Sequence, residues 1–170
     1  HMADALLSPA VGATMWAIST VSNGYGIKKI TDSQLSEKKL PVMAVSGAFV
    51  FAAQMINFTI PGTGSSGHIG GGILLAMLLG EFPALLTISS VLLIQCLMFA
   101  DGGLLALGAN IFNMGVVPCL LVFPVLKIFL KKGISRKKLI VTAVIGPIVG
   151  LQLGAFGVVL ETLISGITQL

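Results

Sequence analysis

Residues 61–72 read PGTGSSGHIGGG, with glycine at 62, 64, 67, 70, 71 and 72 around His68, the only histidine besides His1. Without a Cβ, glycine permits tight turns and close packing, at an entropic cost that a plain connector need not bear. The apolar segment that follows, 69–80, has 12 residues. As a helix it covers ~18 Å, well short of a hydrocarbon core of ~30 Å. The loop is therefore expected to dip below the membrane surface and carry His68 into a pocket, because irregular backbone at that depth needs protein or water to satisfy it.

Working outward, composition sets the class. The 170 residues are 55% hydrophobic and 9% charged, with a mean hydropathy of +1.03. Soluble domains carry about 25% charged residues, so the chain reads as an all-α integral membrane protein, a polytopic helix bundle forming one domain over residues 1–170. The net charge of +4 does not indicate nucleic acid, because the cations sit in short loops between apolar runs. Cys96 and Cys119 both fall inside expected spans and give no disulfide framework. No basic region precedes the first apolar stretch, so no cleaved signal peptide is expected.

Six spans are expected. Ser8 as N-cap and Pro9 at the first helical position open the first, which runs to about Ile27. The others cover about 40–60, 69–80, 84–100, 105–130 and 139–160. Gly80-Glu81-Phe82-Pro83 is expected to break the helix between the third and fourth, and Pro118 and Pro124 to kink the fifth. Glu161 and a mildly polar tail end the chain. Placing the lysine-bearing loops 28–39 and 127–138 in the cytoplasm puts the N-terminus, the 61–68 loop and Asp101 outside, and Glu81 inside. His1, His68 and Asp101 then share one face of the bundle.

Two imidazoles and the backbone nitrogen at His1 suit late first-row divalent metals, and a planar nitrogen set favours Ni(II) or Cu(II) over magnesium or calcium. A lone membrane histidine is structural or pore-lining about as often as it is a ligand. A His-Met start also fits the scar of a cleaved purification tag. Spacing alone leaves these readings level.

The opening stretch MADALLSPAVGATMW (2–16), GTGSSGHIGGG (62–72) and FADGGLLALGANIFNMG (99–115) resemble the substrate-binding membrane subunit, or S component, of cobalt and nickel energy-coupling factor transporters, and the likeness extends along the whole chain. The resemblance implies high-affinity uptake of Ni²⁺ or Co²⁺ as transported substrate, with no organic cofactor. It also implies a location in the cytoplasmic membrane of a prokaryote. The partners it implies are a transmembrane coupling subunit, two cytoplasmic ATPase subunits and a small accessory membrane protein. It implies that the N-terminal segment tucks into the bundle and that His1 and His68 hold the metal together with backbone nitrogen, which makes the scar reading the weaker one. Family chains begin Met-His-Met-Ala-Asp and continue into a seventh span, whereas this sequence begins at His1 and has six.

Ala44, Ala48 and Ala52 fall on one face of the second span, beside Gly47. Small residues at this spacing let helices approach closely in lipid. Internal packing is the bland reading. The resemblance implies the face that meets the coupling subunit. Ala13 and Ala17 form a shorter copy, expected to be internal. Met2 is a candidate to line the site, and Asp4 and Asp101 are candidates to orient a metal-bound imidazole. Asp101 also fits a turn-forming role, and Ser8, Asn110 and Asn113 fit either the pocket or helix-to-helix hydrogen bonds. Glu81 is expected to snorkel at the inner surface.

Two competing classes are weaker. An intramembrane hydrolase using Ser65 or Ser66 with His68 lacks an orienting third group. A self-sufficient metal carrier or channel would need no ATPase partners.

Overall fold

A computed structural model of the chain describes residues 1–32, 39–62, 65–133 and 135–166. The connector 33–38, residues 63 and 64 of the glycine loop, Ile134 of the basic loop and the tail 167–170 lie outside the described residues.

A short 3₁₀ turn, Asp4–Leu6, precedes α1 (Pro9–Asp32). The Ser8 hydroxyl accepts the Val11 N–H at 3.3 Å, so the expected Ser-Pro start holds. α1 is rich in Ser, Thr and Asn, which satisfy themselves inside an apolar setting. Thr14, Ser22 and Thr31 each donate to the carbonyl four residues back. The buried Ser19 instead donates across to the Gly108 carbonyl. Ala13 and Ala17 are exposed, not internal as expected; α1 packs inward through Gly12, Ser19 and Gly26.

α2 (Lys39–Gln54) stops short of the expected end near residue 60. The chain turns there into a hairpin, β1 (Phe58–Ile60) against β2 (Ser65–Gly67), with Phe58 opposite Gly67. α3 (Gly72–Leu79) has 8 residues, as short as the sequence requires. The break before α4 (Glu81–Phe99) falls at Gly80, with φ 91°, the first residue of the stretch expected to break the helix. Pro83 sits in the first turn of α4, where a missing N–H costs no helical hydrogen bond.

One continuous rod, Leu107–Lys131, follows. It consists of α5 (Leu107–Ile111), a π-helical stretch (Phe112–Val122) and α6 (Phe123–Lys131). The expected kink at Pro118 is absorbed by this wider register, in which the Phe123 N–H reaches back to the Pro118 carbonyl. α7 (Arg136–Ser165) is capped by Ser135, whose side chain accepts the Lys138 N–H. Its buried Gly146, Gly150 and Gly154 lie on one face. A Cβ on Gly154 would stand 2.6 Å from the Asn113 carbonyl oxygen, so backbone meets backbone there.

Among the described residues three helices are long and apolar enough to cross a membrane: α4, the Leu107–Lys131 rod and α7. α2 is apolar but shorter, with 16 residues. The core is built on the inner faces of α3, α4 and the rod, where Leu75, Ala76, Ala84, Leu85, Ile88, Leu92 and Cys119 are fully buried. α4 sets the long axis of the site: Glu81 at one end pairs with Lys127 at 3.4 Å, and Phe99 at the other end leads into the Asp101 turn.

Candidate metal centre

The glycine loop is held to the bundle at its second half. Gln54, the last residue of α2 and fully buried, donates to the Gly70 carbonyl at 2.6 Å. Gly71 then adopts φ 82°, and a Cβ there would lie 2.7 Å from Val50 Cγ1, so no other residue fits without strain or displacement. His68 Nδ1 lies 2.9 Å from the carbonyl of Ile69. That acceptor fixes the proton on Nδ1 and leaves the Nε2 lone pair available.

The first residues are packed as firmly. Met2, Leu6 and Leu7 are buried with Ala106 and Ala109 in a small cluster of their own. The Asn110 side chain grips the backbone of Met2 from both sides: Oδ1 accepts the Met2 N–H at 2.8 Å, and Nδ2 donates to the Met2 carbonyl at 3.4 Å. The Gly103 N–H reaches the same carbonyl at 3.1 Å. The Ser8 N–H donates to Ser165 Oγ at the end of α7, 3.0 Å away.

These two supports bring the histidines together. The backbone nitrogen of His1 lies 3.2 Å from His68 Nε2, and the two ring centroids are 4.3 Å apart at 36°. His1 is 9% exposed. Its Nε2 is 2.8 Å from Gln95 Oε1 on α4, and its Nδ1 is 3.3 Å from Asp101 Oδ1. Burial lowers the pKa of His68 from 6.5, opposed by the Ile69 carbonyl and Asp101. That shift favours the neutral nitrogen, the form that binds a metal. Among the described residues no three His, Cys, Asp or Glu side chains cluster for a metal ion.

Of the sequence candidates, His1, His68, Met2 and Asp101 meet at one end of the bundle. Asp4 does not orient a histidine ring there: its Oδ1 accepts the Ala106 N–H at 2.8 Å, at the start of α5. Asn113 Nδ2 donates to Glu161 Oε2 on α7 at 3.0 Å and also reaches the Met2 sulfur at 3.9 Å. Ala44, Ala48 and Ala52 are exposed on α2, which packs inward through Met43, Gly47, Val50 and Gln54. The side chains of Ser65 and Ser66 lie outside what the structure describes.

Sequence reasoning missed Gln54 and Gln95, and read Glu161 as the start of a tail when it is 4% exposed within α7. The available signal was simple: each is a polar residue embedded in an apolar run, and in a membrane such residues are seldom without a role.

All 170 residues match the sequence profile of the CbiM family, described as the cobalt uptake substrate-specific transmembrane region. A protein of Haloquadratum walsbyi named for metal transport is 38% identical over 76% of this chain and 58% of its own. The fused nickel transport protein NikMN of Rhodobacter capsulatus is 42% identical over 69% of this chain and 33% of its own. The chain thus spans less than two thirds of these relatives. A crystal structure of a truncated transition metal transporter superimposes with a TM-score of 0.86 at 34% identity, covering 95% of this chain and 73% of that one.

Proposed function

The chain belongs to the CbiM family of cobalt uptake transmembrane proteins, and from that premise we propose that it is the substrate-binding subunit of a Ni²⁺ or Co²⁺ uptake system. It is an integral membrane protein of a metal transport family and not of an enzyme family. The finer reading is capture at the outer face of the cytoplasmic membrane by a six-span bundle with its N-terminus outside. The observation that carries it is the 3.2 Å approach of the His1 backbone nitrogen to His68 Nε2 in a buried setting. His1 supplies its backbone nitrogen and ring Nδ1, and His68 supplies Nε2. Such nitrogen donors suit Ni²⁺ and Co²⁺ over magnesium or calcium. Asp101 stands beside the His1 ring and offsets the charge of the bound cation.

In this reading energy comes from partners: a transmembrane coupling subunit, two cytoplasmic ATPases and a small accessory membrane protein. The exposed Ala44, Ala48 and Ala52 on α2 form the face for the coupling subunit, where small side chains allow close helix approach. ATP hydrolysis then opens the pocket inward.

The test is ⁶³Ni and ⁵⁷Co uptake into vesicles carrying the chain with and without the coupling and ATPase subunits. ATP-dependent uptake requiring those subunits and His68 supports the reading. Uptake by the chain alone identifies a self-sufficient carrier instead.

A further inference from the structure

We infer that Gln95 is a positioning residue of this site, holding His1 in the one ring tautomer that can chelate a metal. The inference rests on the two-histidine metal reading. A metal bound to the backbone nitrogen of His1 closes a six-membered ring through Cα, Cβ, Cγ and Nδ1. Nε2 lies on the far edge of the imidazole and cannot close that ring. Chelation through Nδ1 therefore needs the proton on Nε2, which is not settled by the histidine itself, since either nitrogen of a neutral ring can carry it. What fixes a tautomer is the acceptor on the opposite nitrogen.

Gln95 supplies that acceptor. Its Oε1 lies 2.8 Å from His1 Nε2, and the whole residue is at 0% exposure, the last but one turn of α4. It is the only amide in an otherwise apolar stretch, VLLIQCLMF. Asp101 Oδ1 is a second acceptor, 3.3 Å from Nδ1, and competes for the same proton; the shorter contact, to Gln95, favours the Nε2–H form.

The same residue organises that carboxylate. Its main-chain carbonyl accepts the N–H of Ala100 and, at 3.1 Å, the N–H of Asp101. Ala100 closes this turn at φ 50°, the left-handed region, where it is the only residue other than glycine among those described. An alanine there is strained, because its Cβ crowds the following carbonyl oxygen, and such strain collects at functional sites. Side chain and main chain of Gln95 thus set both edges of the His1 ring. His68 is held in the opposite tautomer by the Ile69 carbonyl at its Nδ1. The rings then present complementary lone pairs, Nδ1 from His1 and Nε2 from His68.

With two histidines in the sequence, protein labelled with ¹⁵N-histidine and held in nanodiscs gives two ring spectra. Long-range nitrogen–proton correlation distinguishes the tautomers, and a His68→Gln variant assigns them. The expected result is one ring protonated at Nε2, His1, and one at Nδ1, His68. Gln95→Leu should disperse the His1 tautomer and weaken Ni²⁺ binding at least about tenfold, the lower end for groups that orient metal ligands. Gln95→Glu, which keeps an acceptor, should restore the Nε2–H form. Both variants are compared at matched thermal stability. A His1 ring protonated at Nδ1 in the unsubstituted protein, or a Gln95→Leu variant with unchanged spectrum and affinity, overturns the inference. If Gln95→Leu does not fold, the unsubstituted spectrum and Gln95→Glu still decide it. A protein that shows the expected tautomers but binds no Ni²⁺ or Co²⁺ contradicts the metal reading on its own.

Discussion

The backbone nitrogen of His1 and Nε2 of His68 stand 3.2 Å apart although 67 residues separate them in the chain. Two independent anchors produce this approach: Asn110 grips Met2, and Gln54 holds Gly70. His68→Ala removes a donor nitrogen and should cost more affinity for Ni²⁺ and Co²⁺ than the about 10–100-fold loss typical of residues behind the ligands. Asp101→Asn, which keeps the shape and removes the charge beside His1, should fall within that smaller range. Metal titration of both variants checks the order.

Acid should weaken binding later than it does for free groups. The metal needs the neutral nitrogens, so affinity is full above their pKa values and is lost as pH falls through them. Burial lowers His68 below 6.5. The loss on acidification is therefore displaced downward. The comparison is the pH midpoint of Ni²⁺ affinity in the protein against that of free imidazole. The protein's midpoint should be the lower one, and a midpoint at or above that of imidazole would contradict the desolvated pocket.

Asp4 should behave as a fold residue. Its carboxylate accepts the Ala106 N–H at the start of α5, so Asp4→Ala should cost about 0.5–2 kcal/mol of stability, as loss of a helix-start acceptor does. Thermal unfolding in detergent measures that. Its effect on metal affinity, once stability is matched, should be smaller than that of Asp101→Asn.

Ala48→Trp places a large ring on the exposed face of α2. Under the proposed coupling role, it should abolish ATP-dependent uptake in the assembled transporter and leave metal titration of the isolated chain unchanged. Normal uptake by that variant would move the coupling face elsewhere.

The sequence carried the large-scale organisation because membrane burial writes itself in composition. The charge-poor runs, the short third helix and the glycine loop around His68 were all legible from residue type and spacing. What escaped were features set by contacts distant in sequence. The second helix ends at Gln54 because residues 58–60 pair with 65–67, and nothing in the apolar run up to Ile60 signals that strand. The π-helical register across Pro118 runs where Gly150 and Gly154 of α7 admit the rod closely, an approach set by residues distant in sequence. At the site, His1, His68 and Asp101 could be gathered by counting spans. Gln95 could not, because its partner is 94 residues away and only the folded helix aims it at His1. Asp4 was a candidate histidine partner because carboxylates commonly orient metal-bound imidazoles, but its Oδ1 accepts the Ala106 N–H at α5 instead.

The central claim is that one metal ion is shared by the rings of His1 and His68. X-ray absorption at the nickel edge of the singly loaded protein tests this most directly, since imidazole rings leave their own multiple-scattering pattern. The account predicts a nitrogen-dominated shell containing two imidazoles, falling to one in His68→Ala. A shell of oxygen donors, or one with no imidazole lost in that variant, would contradict it.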